Sequence, residues 1–494
     1  MSRDTRSTSR APPRHLSASI LSLATSYGTA LVAIALTSVL IARLLGSSGI
    51  GVYAIASALL WLSAILFDLG IGQGTAYYVA RREWRGSDMS LGVVRACAVL
   101  GGIGAGATLL AFELLGHLVP GMDWLMAGAL AAAIPFALVW RIAPQAALAD
   151  ERFELFALFN SLPALLACPL SVGLALIGGV TWAVVGLAVA FVLTGSVIAV
   201  WLLREGHRQR AESRSPAGGT LAVVSFGARA WLSELLQQLN LRADLIMLGA
   251  FAGAAASGVY SVALATTGIA WQLTEALAVS VLPRSARMHA ESERKEIRSA
   301  DRDQSDSRVM RHAVLAIPAI AILELLLLLI GIPIFYGPGF HGSIGLGLIL
   351  LVGSLAFGVG RTALAVVLAR GFPNRLVVVG LAVVPASLVA YVLVLPTAGA
   401  TGAAVVSTCS YLAYSLIGVT FMRATTGIRI SAILLPRSFD LDDYRVSLQK
   451  LRRALHVRRP TARSGWATDR LAEPVSVQPE QRSLAPERSR APSG

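Results

Sequence analysis

The sequence predicts an all-α polytopic membrane protein, with about twelve transmembrane helices in two parallel-repeat six-helix bundles around a central cavity. Three observations lead there. Apolar stretches of roughly 20 residues follow one another from Leu16 to Met422, and a helix of that length just crosses a ~30 Å hydrocarbon core. Arginine collects in every second connection between them. The chain also repeats itself once along its length. Hydrophobic residues make up 55% of the 494 residues against 14% charged, and the mean hydropathy is +0.67. No soluble domain of this length needs that balance.

The first set of candidate spans runs Leu16–Leu45, Gly51–Phe67, Leu91–Leu115, Asp123–Leu148, Phe153–Ile177 and Thr181–Leu203. The second set is Leu221–Phe251, Gly258–Leu282, His312–Ile334, Ser343–Ala369, Leu376–Leu395 and Thr401–Met422. The first run is too long for a cleavable signal and is read as a retained span. Arg81, Arg82 and Arg85 follow span two, Arg152 follows span four, and Arg204, Arg208, Arg210 and Arg214 follow span six. Span eight leads into the mixed-charge stretch Arg284–Arg308, expected as helix or coil at the membrane surface, and Arg370 and Arg375 follow span ten. The alternate turns Gly116–Met122, Gly178–Val180, Phe335–Gly342 and Pro396–Ala400 hold no Lys or Arg. Basic loops stay on the cytoplasmic side, so both termini are expected there and the protein in the cell's cytoplasmic (inner) membrane. The net charge of +14 is therefore topological, and nucleic acid is excluded as the partner it indicates. Lys occurs twice, leaving 42 − 2 = 40 arginines.

These features divide the chain into a cytoplasmic segment 1–15, a bundle 16–203, a linker 204–220, a second bundle 221–422 and a basic tail 423–494. The tail is rich in Arg, Ser and Pro and is expected to be largely disordered. Within it Leu448, Leu451 and Leu455 share a helical face beside Lys450, Arg452 and Arg453, which suits either a helix on anionic lipid or a solvated tail.

The repeat pairs Ser48-Gly49-Ile50-Gly51-Val52-Tyr53-Ala54-Ile55-Ala56 with Ala255-Ala256-Ser257-Gly258-Val259-Tyr260-Ser261-Val262-Ala263, at an offset of 258 − 51 = 207 residues. The same offset carries Asp68 onto Glu275. Six spans precede the basic linker and six follow, so both halves start on the same side and run the same way.

Charged residues inside the spans carry the functional expectation. A charge at a helix centre costs about 2.5–3.5 kcal/mol, so such groups pair, turn neutral or face a polar interior. Span seven holds the densest set. Arg229, Ser233, Gln237, Asn240 and Asp244 recur at spacings of four, four, three and four and share one face. Glu234, Gln238 and Arg242 form a second row about 100° round. Such a helix either lines a hydrophilic cavity or satisfies itself in helix contacts, with Gln238 bridging Glu234 and Arg242. Asp68, Glu234, Glu275 and Glu324 are the ion-coupling candidates; Asp68 and Glu275 suit partners of loop arginines equally well. Arg141 and Arg361, near the cytoplasmic ends, suit snorkelling. The three cysteines have no paired spacing, and no metal or cofactor is expected. There is no phosphate-binding Gly-Lys-Ser/Thr loop and no catalytic constellation, so an enzyme is not expected.

Ala42-Arg43-Leu44-Leu45-Gly46 running into Gly51-Val52-Tyr53, then Asp68-Leu69-Gly70-Ile71, resembles the opening of the bacterial lipid-linked oligosaccharide flippases, or polysaccharide biosynthesis proteins. These belong to the multidrug/oligosaccharidyl-lipid/polysaccharide exporter superfamily. Arg242-Ala243-Asp244, Leu248-Gly249 and Gly258-Val259-Tyr260 are similar to the family's spans seven and eight; Phe335-Tyr336-Gly337-Pro338-Gly339-Phe340 is similar to its turn after span nine. Gly399-Ala400-Thr401-Gly402-Ala403-Ala404 resembles its entry into span twelve.

The resemblance implies alternating access that flips an undecaprenyl-diphosphate-linked oligosaccharide for cell-surface polysaccharide, with spans one, two, seven and eight lining the cavity. Its implied partners are that substrate, membrane lipids, and glycosyltransferases or a polymerase of the same pathway. The residues assigned to the cavity come from the polar rows: Arg229 and Arg242 for the diphosphate, Gln237 and Asn240 for sugar hydroxyls, with Ser233 on the same face. A multidrug or cation antiporter of the same superfamily and a non-transporting scaffold for glycan assembly remain the alternatives.

Overall fold

The computed structural model describes residues 16–116, 119, 121–210, 213, 215–216, 219–293 and 299–427, with side chains described there except at 16–24, 269–303, 305 and 309. The segment 1–15, the tail beyond Gly427 with its leucine-lined stretch, and the side chain of Glu275 lie outside the described residues. The described chain is helical: α1 Leu16–Asp68, α2 Ile71–Ala80, α3 Gly86–Leu115, α4 Trp124–Ala149, α5 Phe153–Arg208, α6 Gly219–Glu293, α7 Ser299–Leu326, α8 Gly342–Ala369 and α9 Pro373–Thr426. A π-helical run, Leu327–Tyr336, continues α7. Eight of these helices are long and apolar enough to cross a membrane. The protein is a multi-pass membrane protein. α3 shows what it meets there: its apolar window is only 11% buried, a surface that water would not tolerate but lipid does.

Four helices are too long for a single crossing. The 56 residues of α5 would extend about 84 Å at 1.5 Å per residue. Each is broken at one glycine or glycine pair: Gly46 in α1, Gly178–Gly179 in α5, Gly253 in α6 and Gly399 in α9. At Gly46 φ/ψ is 68°/−169° and at Gly253 83°/175°, a region that a Cβ makes prohibitive. These two breaks stand 253 − 46 = 207 residues apart, the offset of the sequence repeat. The limbs fold back on each other in α5, α6 and α9, where Gly186 abuts Leu170, Tyr260 bonds Asp244 and Tyr391 bonds Ser407. The expected turns at Gly178–Val180 and Pro396–Ala400 therefore fall on real breaks. Helix α2 is a feature the hydropathy did not flag. It is only ten residues long, too short to register as a span, and is set off from α1 by Leu69 and Gly70 at positive φ. The stretch between spans eight and nine is helical where described, as the end of α6 and the start of α7.

Helices α1–α5 pack on one another, as do α6–α9, and the two sets meet where α1 and α2 lie against α6. Along this seam the second limb of α1 runs antiparallel to the first limb of α6. Gly51 lies by Ala254, Ile55 by Gly249, Ile65 by Trp231 and Gly70 by Gly227. The backbones nearly touch: a Cβ on Gly227 would sit 1.8 Å from the Gly70 carbonyl oxygen, and one on Gly51 1.9 Å from that of Ala254. At the Gly51 end the seam is apolar, joining Ile41, Ile50 and Val52 to Val262, Leu328 and Ile332. There Arg43 donates from Nε to the Phe335 carbonyl (2.5 Å) and from Nη2 to that of Ile334 (2.6 Å), satisfying acceptors at the end of the π-helical run. At the opposite end, the end of the arginine-rich loops, the seam is polar.

Candidate functional site

The two polar rows of α6 face different ways. The row that starts at Arg229 passes from surface to interior: Arg229 is exposed, Ser233 and Gln237 are half-buried, and Asn240 and Asp244 are buried. The second row meets the N-terminal set. Its Arg242 lies over the ring of Trp61 on α1, 5.8 Å from the centroid, and its Glu234 reaches α2 and α4. The structure thus separates Arg229 from Arg242 and does not gather the five candidate residues around one point. The contact between Gln238, Glu234 and Arg242 considered from the sequence is replaced by partners from across the seam.

Those partners form one cluster. Arg141 Nη2 pairs with Glu234 Oε1 at 2.5 Å, and its Nε with Asp68 Oδ2 at 3.3 Å. The other Glu234 oxygen accepts from the Gln73 amide, while Asp68 Oδ1 accepts the Gly72 N–H at 2.9 Å. Trp231 Nε1 donates to the Ile65 carbonyl, in the last turn of α1, at 2.7 Å. Arg141 therefore does not snorkel: its side chain is 13% exposed and serves two carboxylates. Asp68, 1% exposed, answers this intramembrane arginine rather than a loop arginine. The loop arginines find other acids, Arg85 with Asp150 and Arg152 with Glu205.

A second polar site lies inside the C-terminal set. Asp244 is fully buried. Its Oδ2 accepts from Tyr260 Oη at 2.7 Å and from Ser407 Oγ at 2.9 Å, and its Oδ1 from the Leu245 N–H at 2.7 Å. Tyr391 Oη completes the group, 2.9 Å from Ser407 Oγ. One turn earlier, the buried Asn240 amide has a hydrogen-bond partner on neither its nitrogen nor its oxygen. A carboxylate among hydroxyls is chemically suited to a proton or to a small monovalent cation. Sequence reasoning placed Asp244 in the polar row yet did not single it out. The signal available was Tyr260 of the repeat, one hairpin away. Of the remaining ion-coupling candidates, Glu324 is buried within α7, and Glu275 lies on α6 with its side chain outside the described residues. Among the described residues no group of three His, Cys, Asp or Glu side chains could hold a metal ion, and the three cysteines are unpaired.

The family model for polysaccharide biosynthesis proteins matches residues 40–338, spanning both helix sets and both copies of the repeat. The chain belongs to the polysaccharide biosynthesis protein family. No curated protein matches it in sequence. Among solved structures, this member of the family is similar to the lipid II flippase MurJ in an inward closed conformation. The TM-score is 0.63 at 14% identity, covering 84% of this chain and 88% of that one. It is also similar to the MATE multidrug transporter DinF-BH in complex with R6G, with TM-score 0.61, 16% identity and coverage of 87% and 100%. A third likeness is to an outward-facing multidrug resistance MATE transporter of the MOP superfamily, with TM-score 0.59, 15% identity and coverage of 83% and 95%. The fold is the one these solved transporters share. Family and fold together make the protein a multi-pass membrane protein of polysaccharide biosynthesis with the fold of these transporters.

Proposed function

We propose that the protein flips an undecaprenyl-diphosphate-linked oligosaccharide from the inner to the outer leaflet of the cytoplasmic membrane by alternating access. The family match over residues 40–338 carries this reading, because it selects polysaccharide synthesis within a fold that also serves drug export. The four glycine breaks support twelve crossings, as two six-helix bundles over 16–203 and 221–422, and the arginine-rich alternate connections support cytoplasmic termini. The equal offset of the Gly46 and Gly253 breaks supports parallel repeats.

In this reading Arg229, exposed at the arginine-rich end of α6, meets the diphosphate as it enters, since a planar guanidinium binds phosphate oxygens in pairs. Ser233, Gln237 and Asn240 continue its row inward, and Arg242 on its Trp61 ring presents a cation towards the other helix set. Asp68, Glu234, Glu275 and Glu324 keep their candidacy for ion coupling, and Asp244 joins them on the strength of its burial among hydroxyls. Glycosyltransferases or a polymerase of the same pathway are the expected partners.

The test is reconstitution in proteoliposomes with a fluorescent lipid-linked oligosaccharide, scored by a membrane-impermeant quencher. Flipping that Arg229→Ala abolishes and Arg229→Lys partly retains supports the assignment. Transport of a cationic dye with no movement of the lipid-linked sugar would replace it with the antiporter reading, to which the likeness to DinF-BH points. An active Arg229→Ala variant removes the arginine from the site.

A further inference from the structure

Arg141 is shared by two carboxylates that belong to different helix sets, and the two are held unequally. Asp68 lies in Arg141's own set and is 1% exposed, with one oxygen on Arg141 and the other on the Gly72 N–H. Glu234 lies across the seam and is 30% exposed, and both of its oxygens are bound to the opposite set, one to Arg141 and one to Gln73. We propose that the cluster is a releasable latch: Glu234 leaves Arg141 and Gln73 when the helix sets part at the arginine-rich end, while Asp68 stays as the resident counterion.

The reason lies in what each group would face after release. Breaking a buried ion pair is costly because the survivor is left as an uncompensated charge. Asp68 removes that cost on the Arg141 side. Glu234 is partly exposed already, so water replaces its partners as it moves away. The charge count agrees, since one cation between two carboxylates leaves one of them the lesser held. Other contacts at this end are of a kind that separates readily. Tyr77 on α2 and Phe226 on α6 stack at the surface with centroids 3.8 Å apart, and a single hydrogen bond joins Trp231 to Ile65. At the Gly51 end the sets are joined by packed apolar side chains and by Arg43 on backbone carbonyls, and among the described residues no carboxylate bonds an arginine across the seam there.

The latch is independent of the cargo, so its test needs none. Cys97, Cys168 and Cys409 are replaced by Ala, and Tyr77→Cys is combined with Phe226→Cys across the latch. The rate of cross-linking by a short bis-methanethiosulfonate is then measured in native membranes. Glu234→Gln should lower that rate about tenfold, the loss expected for a charge-assisted bond, with the amount of protein in the membrane unchanged. Gln73→Leu should lower it less. A Ser38→Cys/Tyr336→Cys pair, at the hydrogen bond joining the sets at the other end, should cross-link at the parental rate in both. Asp68→Asn should instead reduce the amount of folded protein. Parental rates at the Tyr77/Phe226 pair in both Glu234→Gln and Gln73→Leu would overturn the latch. So would a loss of folded protein in Glu234→Gln matching that in Asp68→Asn, because Glu234 would then be a structural partner.

Discussion

The two copies of the Gly-Val-Tyr repeat place the same residue in opposite surroundings. Tyr53, in the N-terminal set, is buried with its hydroxyl 3.1 Å from Ser171 Oγ, a neutral pair. Tyr260, its counterpart 207 residues on, donates to the buried carboxylate of Asp244 in company with Ser407 and Tyr391. At the position equivalent to Asp244, 244 − 207 = 37, stands Thr37, which bonds the carbonyl of Ala33 one turn back in its own helix. At this repeated position the N-terminal set thus holds a neutral pair and the C-terminal set an acid. Tyr53 meets a hydroxyl on α5, whereas Tyr260 meets an acid on the other limb of its own helix and a hydroxyl on α9.

The sharpest way to break this comparison is to remove the charge and leave the shape. Asp244→Asn can still accept from Tyr260 and Ser407, so the protein should fold, while the proposed flipping, if Asp244 couples it to an ion, should fall by about tenfold or more in proteoliposomes. Unchanged transport would reduce Asp244 to a packing residue and erase the contrast in function. Next comes Tyr260→Phe, which takes a donor from a buried carboxylate and should cost about 1.5–3 kcal/mol in detergent-solubilised unfolding. The glycine breaks test where the halves are alike. Gly46→Ala and Gly253→Ala each force a Cβ into the same forbidden region and should each cost about 1–3 kcal/mol, with little difference between them. A large difference would mean that the two breaks are not equivalent. The smallest effect belongs to Tyr53→Phe, which gives up a neutral bond worth about 0.5–1.5 kcal/mol. If it proves as costly as Tyr260→Phe, the asymmetry between the sets is not electrostatic.

Arg141 marks where reading along the chain fails. From the sequence it is an arginine near a helix end, for which snorkelling is the ordinary outcome, and nothing local points to Glu234 in another helix set. Span seven shows the same limit. Its two polar rows are plain in the sequence, yet periodicity reports only that they lie about 100° apart, not which one meets α1 and which enters the C-terminal interior. Helix α2 went unseen because ten residues are too few to register as a span.

What the sequence determined by itself is what depends on neighbours in the chain and on the solvent: the apolar spans, the arginine-rich connections between alternate ones, and the glycines at which four helices break. Each follows from a local rule, whether the length needed to cross lipid, the cost of moving charge through it, or a backbone conformation open only to glycine. Tertiary structure alone decided the partners. Arg141 meets Glu234, and Asp244 meets Tyr260 and Ser407, because close packing brings these limbs to the same depth in a medium that offers a buried charge no other partner. Which side chains then share a proton or an ion pair is a property of the fold, and spacing along one helix does not encode it.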